Sequence, residues 1–118
     1  MTDAVFSLSE SAVKKGVEDY LQFQMNLGRL WYCRLNAGTI VIPNKDGINR
    51  LFKGVEKGTA DLLAILSNGR AVFIECKSTK GIQSPIQKEF EGMITELNCR
   101  YMVVRDVDEL IELLWESE

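Results

Sequence analysis

Residues 62–77 confine this chain more tightly than any other stretch. Leu62-Leu63-Ala64-Ile65-Leu66 and the run 70–77 (Arg-Ala-Val-Phe-Ile-Glu-Cys-Lys) are apolar and β-rich, and Ser67-Asn68-Gly69 joins them. That combination marks an antiparallel hairpin. Its register is a discrete choice, because a slip of one residue turns every side chain to the other face. A two-residue turn at Asn68-Gly69 sets Asp61 opposite Cys76. A three-residue loop with Gly69 left-handed sets Asp61 opposite Glu75, with both carboxylates on one face.

The remaining elements follow from periodicity and caps. Ser7 and Glu10 have capping-box spacing, and Val13, Val17, Tyr20, Leu21 and Leu27 recur at helical intervals before Gly28, so a helix is expected over 8–27. Glu18 borders its apolar face. Residues 30–35 and 39–42 read as strands separated by Asn36-Ala37-Gly38, and Pro43 to Gly47 as a loop. Ser84-Pro85 starts a second helix carrying Ile86, Phe90, Met93, Ile94 and Leu97. Tyr101 to Val104 is a short buried strand, and Asp106 with Glu109 forms another capping box before a terminal helix bearing Leu110, Ile111, Leu113 and Leu114. The order α-β-β-β-β-α-β-α predicts an α/β fold, a mixed β-sheet flanked by helices.

At 118 residues, 46% hydrophobic and 26% charged, the chain has the size and composition of one domain with a real core. Its longest apolar stretches fall far short of the roughly 18–20 residues of a membrane span. The N-terminus lacks the basic and apolar regions of an export signal, so a cytoplasmic location is expected. Three widely spaced cysteines, Cys33, Cys76 and Cys99, with no CxxC pair, suit buried thiols in a reducing compartment. There is no histidine, which excludes Ser/His and Cys/His dyads and HExxH zinc sites and leaves carboxylates and lysines for any chemistry.

Charge is unevenly spread. The net charge is −3, yet from Arg29 to Lys88 ten bases face four acids, while the six charged residues from Asp106 onward are all acidic. A basic middle of this kind attracts phosphate despite an acidic total.

In the strand 70–77, alternation places Phe73, Glu75 and Lys77 on one face. An acid and a base at the end of an apolar strand are costly to bury unless paired or bound to a metal, and a salt bridge at the rim is the simplest explanation. Asp61 alters that weighting, because in the three-residue register it joins Glu75. Two adjacent carboxylates with a lysine two residues on suit a hard cation that keeps open positions for water and phosphate oxygens, as Mg²⁺ does.

Asp61 followed by Glu75-Cys76-Lys77 resembles the D…ExK core of the PD-(D/E)XK nucleases. The longer run Gly58-Thr59-Ala60-Asp61-Leu62-Leu63, Gly69-Arg70, Phe73-Ile74-Glu75-Cys76-Lys77, Ser84-Pro85-Ile86-Gln87 and Tyr101-Met102-Val103-Val104-Arg105 resembles the VRR-NUC family. With Glu18 the likeness extends over nearly the whole chain, as in the small stand-alone phage and bacterial members. Ala60 departs from the proline usual before the aspartate.

The resemblance implies a restriction-endonuclease-like fold and a single nuclease domain over 1–118. It implies Mg²⁺ or Mn²⁺ held by Asp61, Glu75 and the Cys76 main-chain carbonyl, with Glu18 contributing directly or through water. Lys77 would position or activate the attacking water, and Gln87 would support Lys77 or the scissile phosphate. The expected activity is metal-dependent hydrolysis of phosphodiester bonds in structured DNA. Four-way junctions are the expected substrate, cut by a homodimer with two active sites and no small-molecule cofactor. Arg34, Lys45, Arg50, Lys53, Lys57, Lys80 and Lys88 are the expected DNA contacts, and Trp31, Tyr32 and Trp115 are interface candidates if they are not core aromatics. Two alternatives stand beside this: a non-catalytic DNA-binding module on the same fold, and a restriction-type enzyme that reads sequence.

Overall fold

The computed structural model describes residues 7–35, 39–42, 50–53 and 58–116, the two short middle segments by their main chain. The elements are α1 (Glu10–Asn26), β1 (Leu30–Arg34), β2 (Thr39–Ile42), β3 (Arg50–Lys53), β4 (Leu62–Leu66), β5 (Ala71–Cys76), α2 (Pro85–Glu96), β6 (Arg100–Val104) and α3 (Val107–Leu114).

The hairpin takes its three-residue form. Leu62 pairs with Ile74 and Ile65 with Ala71. Leu66 N–H donates to the Arg70 carbonyl at 2.9 Å, and Gly69 has φ +85°. Asn68 Oδ1 accepts from Arg70 N–H at 2.9 Å, an Asx contact that tightens the loop. Continued one step, the register sets Asp61 opposite Glu75, as the longer loop requires. The four-stranded sheet runs β1-β4-β5-β6. β1 and β5 are antiparallel to β4, and β6 is parallel to β5, reached through the α2 crossover.

Two glycines carry the hairpin's geometry in different ways. A Cβ on Gly69 meets nothing within 4 Å, so Gly69→Ala is expected to cost only the left-handed backbone penalty, about 1–2 kcal/mol. Gly58 has φ +90°, and its Cβ would lie 2.1 Å from Ile86 Cγ2 and 2.9 Å from the Ile86 carbonyl oxygen. Gly58→Ala must therefore also displace the start of α2. Urea midpoints should fall in the order wild type, Gly69→Ala, Gly58→Ala, and equal midpoints for the two variants would refute this contact.

The even-numbered face of the sheet is the core. Val13, Val17 and Leu21 of α1 and Leu110 and Leu114 of α3 are fully buried against Leu62, Ala64, Val72, Ile74, Met102 and Val104. Arg100 donates to the carbonyls of Leu113 and Leu114, supplying donors and positive charge where the α3 carbonyls end unpaired. On the other face, Phe90 of α2 makes edge contacts with Phe73 and Tyr101, at centroid distances of 5.3 and 5.9 Å.

Several expectations are corrected. Ser9, not Ser7, caps α1, accepting from Ala12 N–H. The reason lies in Leu8, whose N–H donates to Thr79 Oγ1 and whose carbonyl accepts from Thr79 N–H, just past β5, so that it stays outside the helix. The Glu109 carboxylate reaches Arg105 N–H and not that of the cap residue Asp106. An additional strand, β3, makes the order α-β-β-β-β-β-α-β-α, and β2 pairs with β3 in a separate two-stranded sheet. Arg50-Leu51-Phe52-Lys53 offers only two apolar residues between charges, too short a pattern to register as a strand. The α2 stripe is only partly buried: Ile94 is inside, whereas Ile86, Met93 and Leu97 are exposed. Trp31 and Trp115 stand half-exposed, so neither is a core aromatic. Among the described residues no helix is long and apolar enough to cross a membrane. Asn36 to Gly38 and Pro43 to Gly47 lie outside the described residues.

All three cysteines are free; Cys76 is buried, and Cys33 and Cys99 are half-buried. Burial, reinforced by the Asp61 charge, pushes the Cys76 thiol up to about 12. The sign follows directly: above about pH 9 the unfolded chain releases this proton while the folded chain keeps it, so stability falls as pH rises from 9 toward 12, by at most about 1.4 kcal/mol per pH unit. At pH 8, iodoacetamide should label Cys33 and Cys99 in the native protein and reach Cys76 only after denaturation. Peptide mapping checks this, and native labelling of Cys76 would contradict its burial.

Candidate active site

The sheet brings chemistry-bearing residues to one end, where β4 begins and β5 finishes. Asp61 sits one residue before β4. Its carbonyl accepts from Leu35 N–H at 2.8 Å, which ties it to the end of β1. Its carboxylate is divided between two partners. Oδ2 accepts from Cys76 N–H at 2.8 Å, and Oδ1 lies 3.3 Å from Lys14 Nζ.

Glu75, one residue earlier on β5, is 1% exposed. Its Oε1 accepts from the Tyr101 hydroxyl and from Gln83 Nε2 at 3.4 Å. Its Oε2 is buried with no hydrogen-bond partner. Lys77 Nζ stands 3.8 Å from that oxygen, too far to bond it. The two groups form a long ion pair, and it is buried instead of lying at the rim, the lysine side chain being only 13% exposed. Burial, then the hydrogen bond from Tyr101 to the Glu75 carboxylate, raises the Tyr101 phenol far above its usual value, so it remains a donor throughout the physiological range.

Asp61 and Glu75 thus meet at one peptide unit, Asp61 bonding the N–H of the Glu75–Cys76 peptide and Glu75 carrying it. The expectation that both carboxylates share one face is corrected: Asp61 turns to α1, which packs on the core face, and Glu75 to Tyr101 and Gln83 on the side of α2. Position 61 precedes the strand, so the pleat that orients Glu75 does not govern it. Among the described residues no group of three or more acidic, cysteine or histidine side chains stands ready around a metal.

Glu18 occupies the border position expected of it. Its Oε1 accepts from Arg34 Nε at 2.6 Å, and that bond and charge raise the arginine's already high pKa. Lys14, Glu18, Arg34, Leu35, Asp61 and Leu62 line a cleft of about 90 Å³. A wider depression of about 380 Å³ shares Lys14, Glu18 and Arg34 with it. Burial draws the Lys14 ammonium down, but Asp61, with help from Glu10, outweighs it and leaves the pKa raised.

Gln87 is engaged elsewhere. Its Oε1 accepts from Ser84 N–H at 2.8 Å while Ser84 Oγ accepts from Gln87 N–H, a reciprocal cap on α2. The glutamine that reaches the carboxylates is Gln83. Of the expected phosphate contacts, Arg34 is at the cleft and Lys80 and Lys88 are exposed. Lys45 and Lys57 lie outside the described residues, as do the side chains of Arg50 and Lys53.

Lys14, Gln83 and Tyr101 were not foreseen as site residues. Lys14 had a legible signal, because it precedes Glu18 by one helical turn and so shares its face. Tyr101 and Gln83 had none, since their reach to Glu75 depends on the β6 crossover. Comparison with protein-family models, with curated proteins and with solved structures finds no match to this chain.

Proposed function

We propose that this chain is a metal-dependent endonuclease that hydrolyses phosphodiester bonds in structured DNA, with four-way junctions as its substrate and a homodimer as its working form. One observation carries the reading. A buried glutamate has one oxygen held by a tyrosine and a glutamine, leaving the other with no hydrogen bond and only a long ion pair, 3.8 Å, to a nearly buried lysine. A buried carboxylate oxygen without a hydrogen bond is costly, and an ion pair as long as 3.8 Å offsets that cost only in part. With Asp61 bonded to the next peptide, the donors are hard oxygens in a small number, the set Mg²⁺ or Mn²⁺ accepts while keeping positions for water and phosphate.

In that site Asp61 and Glu75, whose carboxylates turn to α1 and to Tyr101 here, would have to converge to hold the ion, with the Cys76 main-chain carbonyl and Glu18, direct or through water, as the further donors the family resemblance implies. A divalent ion supplies Lewis acidity toward a phosphate oxygen and a more acidic water. The protein does the rest. Tyr101 and Gln83 orient Glu75 so that Oε2 is the oxygen without a hydrogen bond, facing Lys77. Lys77 places a positive charge where negative charge grows on the phosphate, which lowers the barrier most in a site fixed beforehand. Gln87, engaged in its own helix cap, serves the reaction indirectly by setting the start of α2.

The basic middle of the chain supplies phosphate contacts, which position a substrate without reading its sequence, and this favours branched structure over a defined sequence. Half-exposed Trp31 and Trp115 suit an interface, and a two-fold dimer would present one site to each strand. The ion pairs that Lys14 and Arg34 make with Asp61 and Glu18 favour a second reading, a DNA-binding module with its acids neutralised. Titration of Mg²⁺ and Mn²⁺ against matched four-way, flap, single-stranded and linear duplex DNA separates the two. Divalent-dependent cleavage strongest on junctions is expected, whereas salt-sensitive binding with no cleavage at any metal concentration would establish the module. Cleavage of one duplex sequence alone would establish the restriction-type enzyme.

A further inference from the structure

We propose that Lys14 is a displaceable internal cation: it occupies Asp61 in the metal-free protein and becomes a contact for a DNA phosphate once a divalent ion takes its place. The inference rests on the metal-site reading above and extends it to a residue outside the resemblance.

Three features of the cleft support it. Lys14 Nζ is 3.3 Å from Asp61 Oδ1, the oxygen not committed to Cys76 N–H. A cation approaching Asp61 must therefore compete with this ammonium. The Lys14 side chain is 40% exposed and lines both the narrow cleft and the wider depression, so it can leave the carboxylate without leaving the site. Glu10 Oε2, 3.6 Å from the same ammonium, is itself half-exposed and offers only a weak alternative hold. Arg34, bonded to Glu18, lines the same cleft.

Charge balance then links metal to DNA. Without a divalent ion, Asp61 and Glu18 neutralise Lys14 and Arg34, and the cleft presents little net charge to phosphate. When a divalent ion takes Asp61, Lys14 is left with positive charge unspent at the mouth of the site. A backbone phosphate is the anion that would reach it there.

The test uses Mn²⁺ calorimetry on the free protein and junction binding in Ca²⁺ or EDTA. It compares wild type, Lys14→Met, Lys14→Gln, Lys14→Arg and Asp61→Asn, each checked for folding by circular dichroism. Removing the competing charge should tighten Mn²⁺ binding roughly fivefold in both neutral variants, the scale of one partly exposed ion pair. Lys14→Arg should restore wild-type affinity, and Asp61→Asn should weaken it. In Ca²⁺ the junction should bind wild type more tightly than in EDTA, and the salt slope of Lys14→Met should be lower by about 0.9, one phosphate contact. Unchanged or weaker Mn²⁺ binding in both neutral variants, or a Ca²⁺ salt slope equal to wild type, overturns the role of Lys14 and leaves the metal site standing. If wild type itself takes up no Mn²⁺, the metal-site reading fails and this inference with it.

Discussion

Glu75→Gln is expected to lower single-turnover cleavage of four-way-junction DNA in Mg²⁺ by about 10²–10³-fold or more, the scale of losing one fixed electrostatic group from an active site. The amide is nearly isosteric, and its oxygen can still accept from Tyr101 and Gln83, so the fold should survive. What it removes is the charge on Oε2, the oxygen that has no hydrogen bond and faces Lys77. Junction binding in Ca²⁺ should persist, because Glu75 is buried and contributes no cation to phosphate. Glu75→Ala should lose cleavage equally but also cost about 1–3 kcal/mol of stability, since the part-buried Tyr101 hydroxyl loses its acceptor. Lys77→Ala should likewise abolish cleavage and weaken binding slightly, whereas Lys53→Ala should affect binding more than chemistry. Saturating protein in a single turnover masks binding defects and leaves chemical ones. Wild-type cleavage by Glu75→Gln under those conditions would remove the enzyme reading and leave the binding module.

The largest expected effect on stability belongs to Ile74→Ala. Ile74 is fully buried at the centre of β5, opposite Leu62 on one side and Met102 on the other. Truncation there removes transfer energy and leaves a cavity that two hydrogen-bonded neighbours hold open, a cost of about 2–5 kcal/mol. Against a total of about 5–15 kcal/mol for a domain, that is a large share, and the urea midpoint should drop without change in the m-value. Leu97→Ala, at a side chain 72% exposed on α2, should stay within about 0.5 kcal/mol. A loss below about 1 kcal/mol for Ile74→Ala would mean that the α1–α3 face of the sheet is not the core.

Much of this architecture is written locally. The hairpin, the Pro85 start of α2, the Gly28 stop of α1 and the Asp106 cap of α3 each depend on residues within a few positions of one another, where propensity and capping act without help from the rest of the chain. Even the three-residue register was one of two forms legible beforehand, because loop length and the left-handed Gly69 determine it together. Strand β3 was not legible, since two apolar residues between charges carry no period.

The site divides along the same line. Glu75 and Lys77 share a face by simple alternation, and Glu18 stands at the edge of a helical stripe, from which a carboxylate can look inward. What these groups touch was decided by distant chain. Lys14 meets Asp61 because α1 packs against β1 and β5, the two strands that flank β4, and Tyr101 meets Glu75 because the crossover through α2 returns β6 parallel to β5. Asp61 turns to α1 because it stands one residue outside the strand, where the pleat no longer dictates direction. A side chain's face follows from its own backbone period, whereas its partner requires two segments far apart in sequence to pack together. Only the tertiary structure contains that second condition.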